Sequence, residues 1–317
     1  MRTYVIRRIL ALIPTLLFAS MIVFVTIRMI PGDVIDLMLS QNDVSADKLS
    51  RERLIQALGL DRSMPEQYFR WIWGILHGDF GRSLWQSTPV LEQVLQRLPV
   101  TLELGLMALL IGLSIALPIG IYSAVRQDTF GDMLARSFSI LMLAVPSFWL
   151  GTMVMVFPSI WWGWSPEVNY VNLTEDPLQN LKQMIVPAIV LGAALSAVTM
   201  RMTRTMMLEV LRQDYIRTAW AKGLPERLIV MRHALRNALI PVVTLVGLQA
   251  PLLIGGAVII EQIFVIPGMG LLLLDAVGQR DYPVVTGVFL VVGLSVMLIN
   301  LVVDLSYGLL DPRVRRQ

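Results

Sequence analysis

Charged residues are missing from six long runs of this chain, 9–27, 104–125, 137–166, 183–200, 237–260 and 282–303. Each run is bounded by charges and approaches or exceeds the roughly 20 apolar residues that a helix needs to cross the hydrocarbon core of a bilayer. The pattern predicts an all-α integral membrane protein with six transmembrane helices. Pro14, Pro118, Pro146, Pro187, Pro241 and Pro251 fall inside these runs. In a membrane helix, neighbours and local kinks satisfy the carbonyl that proline frees, so they are read as packing kinks rather than breaks. Between the first two runs lies a long polar insert. Pro31-Gly32-Asp33 should stop the first helix. Ser45 is a candidate N-cap for a helix over 45–58 with Leu49, Leu54, Ile55 and Leu58 on one stripe. A second helix is predicted over 65–76, where Tyr68, Phe69, Trp71, Ile72, Trp73 and Ile75 suit a surface on the membrane or packed on the spans.

Composition agrees with lipid as the main solvent. Apolar residues make up 56% of the 317, and charged residues only 15%, against about 25% in ordinary soluble domains. There is no cysteine, which excludes a disulfide framework, thiolate metal sites and a cysteine nucleophile. His77 and His233 have no metal-ligand spacing. The 18 methionines are scattered through apolar segments and read as core filling. Charges at span ends, Glu103 and Asp304, are read as boundary groups. Glu261 precedes a further apolar stretch, 262–274, which leaves open a place inside the folded membrane domain or a short re-entrant piece.

The basic residues give the spans a direction. One side would hold Arg2, Arg7, Arg8, Arg126, Arg136, eight basic residues between Arg201 and Arg236, and Arg313, Arg315 and Arg316. The short loops on the other side would hold only Lys182 and Arg280. The positive-inside rule then makes both termini cytoplasmic and the insert extracytoplasmic. Trp161, Trp162 and Trp164 fit an interfacial aromatic belt. The first run is near full spanning length without a small-x-small cleavage site, which argues against a cleaved signal peptide.

The cytoplasmic loop 201–236 is unusually long and has helical patterning. Met207, Leu211, Tyr215 and Ala219 recur at helical spacing up to Gly223-Leu224-Pro225. Glycine suits the left-handed position that ends a helix, and proline the first turn of the next. A second helix should run from Glu226 with Leu228, Met231 and Leu235 on one stripe, and Arg232 and Arg236 on another. Such an elbow can clamp anionic lipid, bind nucleic acid or dock a cytoplasmic protein. Its tethering between two spans disfavours nucleic acid, and the small residues Ala219, Ala221 and Gly223 favour docking.

Asp214-Tyr215-Ile216-Arg217-Thr218-Ala219-Trp220-Ala221-Lys222-Gly223 resembles the loop motif of binding-protein-dependent ABC importer permeases, which reads Glu-Ala-Ala, three residues, then Gly. Arg217 stands for the leading Glu, and the motif's later Leu-Pro falls at Leu235-Arg236. Further pieces resemble the dipeptide/oligopeptide/nickel permease family in order along the chain: Ile30-Pro31-Gly32-Asp33, Leu58-Gly59-Leu60-Asp61, Gly78-Asp79-Phe80-Gly81-Arg82-Ser83, Arg97-Leu98-Pro99-Val100-Thr101-Leu102-Glu103-Leu104, His233-Ala234-Leu235-Arg236-Asn237-Ala238-Leu239-Ile240-Pro241, Glu261-Gln262-Ile263-Phe264 with Pro267-Gly268-Met269-Gly270, Arg280-Asp281-Tyr282-Pro283, and Asp311-Pro312-Arg313-Val314-Arg315. The resemblance implies a type I ABC importer permease in the bacterial cytoplasmic (inner) membrane. It implies a second homologous permease, two ABC ATPase subunits and an extracytoplasmic solute-binding protein as partners, with peptides or a related small solute as cargo. It assigns ATPase coupling to Asp214, Tyr215, Arg217, Thr218, Ala219, Lys222, Gly223 and Leu224. The organisation expected is a first span over 1–30, an extracytoplasmic insert over 31–98 and a five-helix core over 99–317. No Gly-x-x-x-x-Gly-Lys-Ser/Thr phosphate loop occurs. The chain is therefore expected to be no enzyme and to hold no cofactor, with ATP and Mg bound by the partner ATPases.

Overall fold

A computed structural model describes residues 2–29, 55, 61–167 and 169–310, and side chains among these only from residue 10 to residue 303. The helix stop at Pro31-Gly32-Asp33, the helix 45–58 apart from the single residue Ile55, and the motifs at 58–60 and 311–315 lie outside the described residues, as does the Asp304 side chain. The described residues are helical, with no strand beyond an isolated bridge between Arg82 and Pro89. In order they form α1 (Arg2–Arg28), α2 (Met64–Leu76), α3 (Val90–Val125), α4 (Phe130–Ala144), α5 (Ser147–Trp162), α6 (Pro177–Leu211) and α7 (Asp214–Ala221). A single turn Glu226–Leu228 and a π-helical turn Ile229–Ala234 then lead into α8 (Leu235–Phe264), followed by α9 (Met269–Gly278) and α10 (Tyr282–Leu310).

Among the described residues, five helices are long and apolar enough to cross a membrane, and a sixth crossing is available if α4 and α5 together make one span. The run 137–166, expected as one helix, is two helices meeting at 96°. The break has a local cause. A residue before proline is driven out of the α region, and Val145, ahead of Pro146, is extended with ψ 121°. The run 237–260 departs the other way. It belongs to a continuous helix from Glu226 to Phe264, so the elbow's second helix and the fifth span, expected as separate elements, are one. The apolar stretch 262–274 splits at Val265, which takes a left-handed φ of 53°, and supplies the ten-residue α9, too short to span.

The chain divides into two compact units. The first comprises 100–270 and 298–317. Its core joins Leu104 and Ala108 of α3, Met184, Ala188, Leu191 and Leu195 of α6, and Leu253, Ala257, Ile260 and Phe264 of α8. The most buried span is α6. Ala188, Gly192 and Ser196 recur on it every four residues, all buried, and this small stripe lets backbones approach closely. A Cβ on Gly192 would stand 2.5 Å from the carbonyl oxygen of Ala108. Glu261 is fully buried here, settling the place that its sequence left open. It accepts hydrogen bonds from the Thr101 hydroxyl at 2.6 Å and the Gly270 amide at 2.7 Å, while the Met269 amide donates to the Thr101 oxygen. A carboxylate at the N-terminus of α9 also faces the positive end of that helix's dipole.

The second unit comprises 2–99 and 271–297. Here α2, expected from its aromatic density, packs on α1. Phe24, 1% exposed, lies edge-on to Tyr68 and beside Trp71, and the Tyr68 hydroxyl donates to the Leu17 carbonyl. Phe69, Trp73 and Leu76 stay exposed on the opposite side. The following segment, 78–89, is stapled by Asp281, which accepts from the Ser83 hydroxyl at 2.5 Å and the Leu84 amide at 3.2 Å. Burial raises the Asp281 carboxyl above its ordinary range, and the hydrogen bonds oppose that shift.

Candidate functional site

The loop after α6 has two faces, and the sequence accounts for both. The α6 helix ends at Leu211, and α7 restarts at Asp214 after Gln213 takes an extended ψ of 149°. The interruption resets the helical phase. Met207, Leu211, Tyr215 and Ala219, read as one stripe, are therefore divided. Met207 and Ala219 are buried, but Tyr215 is 44% exposed, and the anchor on α7 is Ile216, with no exposed area. Ile216 and Ala219, three residues apart, seat α7 into a cluster with Ala124 of α3, Met207 of α6, Ile229, Val230 and Ala234 of the π-helical turn, and Ala238 of α8. The signal for Ile216 was present in Gln213-Asp214, a helix start with an acidic first turn.

The end of α7 forms a complete Schellman motif. The Gly223 amide donates to the Trp220 carbonyl at 2.9 Å, and the Leu224 amide to the Ala219 carbonyl at 3.4 Å. Gly223 has φ 72°, in the left-handed region, and a Cβ placed there would meet nothing within 4 Å. The glycine is thus required by backbone conformation, not by crowding within this chain. Leu224 folds back onto the same apolar cluster.

The expected coupling residues do not share one surface. Asp214, Arg217, Thr218, Lys222 and Gly223 are exposed, and Asp214 and Arg217 pair loosely at 3.5 Å. Thr218 returns its hydroxyl to the Asp214 carbonyl. Tyr215 turns sideways and accepts from the Asn237 amide group at 2.7 Å, tying α7 to α8. Ala219 and Leu224 face inward. The smallness of Ala219, read above as an aid to docking, serves packing against the chain itself, while Ala221 and Gly223 remain open on the outer side. Elsewhere in this unit Glu103, expected as a boundary group, accepts from the Tyr170 hydroxyl at 3.3 Å. Burial first, and the Glu103 charge second, push the Tyr170 hydroxyl up to about 12.

A chain of apolar spanning helices that seats a short amphipathic helix at a loop, with its polar face outward, has the build of a membrane permease subunit. Comparison with known proteins agrees. The model for the binding-protein-dependent transport system inner membrane component matches residues 116–316, and the model for the N-terminal part of such membrane components matches residues 1–105. The dipeptide transport system permease protein DppB of Escherichia coli K12 is 39% identical over 340 residues, covering all of both chains. The oligopeptide transport system permease protein AppB of Bacillus subtilis 168 is 40% identical over 317 residues, covering 99% of each. A crystal structure of an amino acid ABC transporter with histidines matches with a TM-score of 0.50 at 12% identity, over 70% of this chain and 94% of that one, and supports the fold alone. The chain therefore belongs to the family of binding-protein-dependent transport system inner membrane components, with the type I ABC importer permease fold.

Proposed function

We propose that this chain is one permease subunit of an ATP-driven importer, that it forms the translocation path with a second, similar permease, and that its cargo is a peptide or a related small solute. The observation that carries the reading is the two-faced helix α7. Ile216 and Ala219 fix it to the protein, and Asp214, Arg217, Thr218 and Lys222 point away from it. An exposed polar face on an anchored helix is a docking surface, and the named relatives are permeases of peptide transport systems. The occupant of that surface is one of the two ABC ATPases, which bind the ATP and Mg. An extracytoplasmic binding protein delivers the solute. Both termini and the 201–236 loop lie on the cytoplasmic side, as the distribution of Arg and Lys supports. Hydrolysis displaces the loop as a lever and switches the spans between inward- and outward-facing states.

The test is dipeptide uptake into proteoliposomes. The purified chain alone should take up none, with or without ATP. The complex with partner permease, ATPases and binding protein should take it up only with ATP. Uptake by the chain alone would mark a self-contained carrier or channel and sink the proposal.

A further inference from the structure

Asp132 is an acidic residue in the first turn of α4, and its side chain has no exposed area. Arg204, on α6, meets it with two parallel bonds, Nε to Oδ1 at 2.8 Å and Nη2 to Oδ2 at 2.9 Å. Planar fork-to-carboxylate pairing of this kind fixes orientation as well as distance. The remaining capacity of the carboxylate is filled from the α3 side. The Ser123 hydroxyl donates to Oδ1, and the Asp128 amide to Oδ2 at 3.0 Å. Arg204 Nε also reaches the Ser123 oxygen at 3.0 Å, and Arg136 approaches Oδ2 at 3.6 Å. One ion pair, with Asp132 buried and Arg204 part-buried, thus ties together the end of α3, the turn after it, the start of α4 and the C-terminal part of α6.

The place of this pair along the chain gives it a role beyond holding the fold. Arg204 lies two turns before α6 ends at Leu211, roughly 10 Å along the axis, and α7 begins three residues further on. Asp132 lies on the helix that runs to the 96° corner at Val145-Pro146. A second tie, Arg126 to Glu226 at 3.1 Å, joins the turn after α3 to the far limb of the elbow. Pulling Arg204 away would leave the buried Asp132 carboxylate uncompensated, which favours motion of the strut as one body. We propose that Asp132 and Arg204 are positioning residues that carry displacement of α7 into α4, and through it into the bent α4–α5 pair. The inference rests on the importer reading above.

The test uses the complete importer in proteoliposomes, with a dipeptide as probe. Asp132→Leu combined with Arg204→Met removes both charges and leaves an apolar pair, an exchange that buried pairs often tolerate. Basal ATP hydrolysis should persist. Dipeptide-stimulated hydrolysis and uptake should fall about tenfold in maximal rate, with no change in the binding-protein concentration that gives half the effect. Because the chain has no cysteine, Asp132→Cys with Arg204→Cys gives a second reading on a single preparation. Uptake should be low as purified and should recover when a short bifunctional thiol reagent bridges the pair. Uptake at the wild-type rate in the double apolar variant, or uptake that bridging leaves unchanged, would overturn the strut. Lack of ATP-driven uptake by the wild-type importer would instead overturn the importer reading.

Discussion

Gly223 separates two effects that a single substitution would mix. Its φ of 72° costs any ordinary side chain roughly 1–2 kcal/mol, yet the space around it is open. Gly223→Ala and Gly223→Trp should therefore lose similar stability, and Gly223→Asn less, because asparagine visits the left-handed region more readily. Melting temperatures in detergent check this, and a much larger loss for tryptophan would show crowding that the structure does not contain. Thr101 is a different case. Replacing it with valine keeps the shape but strips a donor from Glu261 and the acceptor of the Met269 amide. That should cost about 1–3 kcal/mol, read as earlier unfolding of the solubilised protein. Asp281 brings a pH dependence. Burial sets its folded carboxyl above the ordinary range, so the buried arrangement is most stable in acid and loses stability as pH rises through the raised value, although the Ser83 and Leu84 hydrogen bonds favour the ionised form. Protease cleavage within 78–89 should increase as pH rises above the ordinary aspartate value of about 4, and in Asp281→Asn it should show no such rise. Of these residues, sequence marked Glu261 and Gly223 as worth weighing, one from its apolar sequel and the other from Gly-Leu-Pro. Asp132, Arg204 and Thr101 carry no local signal, because their partners are 72 and 160 residues away.

Helix type was legible because each expected span is built on a run without charge, and the hydrocarbon core requires the backbone to satisfy itself. Corners were harder to read. Pro146 and Pro187 look alike in sequence, but the chain breaks at the first, where Val145 is extended, and passes through the second inside α6. The elbow shows the same limit. Phase counting ran through Arg212-Gln213 and so placed Tyr215 on the inner stripe, which belongs to Ile216. Ile216→Ala should cost about 2–5 kcal/mol as a buried truncation and loosen α7 selectively. Hydrogen exchange should rise over 214–221 more than over 184–200, and a uniform rise would place the anchor elsewhere. Close packing of α6 on α3 makes the opposite demand. Gly192→Leu would drive side-chain atoms into the Ala108 backbone, and the chain should then fail to accumulate in the membrane while Gly223 variants still insert.

At the level of the molecule, the buried polar groups are spread through the two compact units. The cluster under α7 with the Asp132 strut lies in one, and the Asp281 staple in the other. The proposed orientation rests on charge asymmetry. In the cysteine-free chain, Lys222→Cys should be labelled by an impermeant thiol reagent only from the cytoplasmic side, and Lys182→Cys only from outside. In the proposed mechanism α7 passes force from an ATPase to the spans. Dipeptide-stimulated ATP hydrolysis by the complete importer carrying Gly223→Trp, set against Gly223→Ala, tests it most directly, since the two share the backbone strain and differ in bulk at the outward face. The tryptophan importer should insert but lose stimulation, while the alanine importer should keep most of it. Equal stimulation in both would contradict that mechanism.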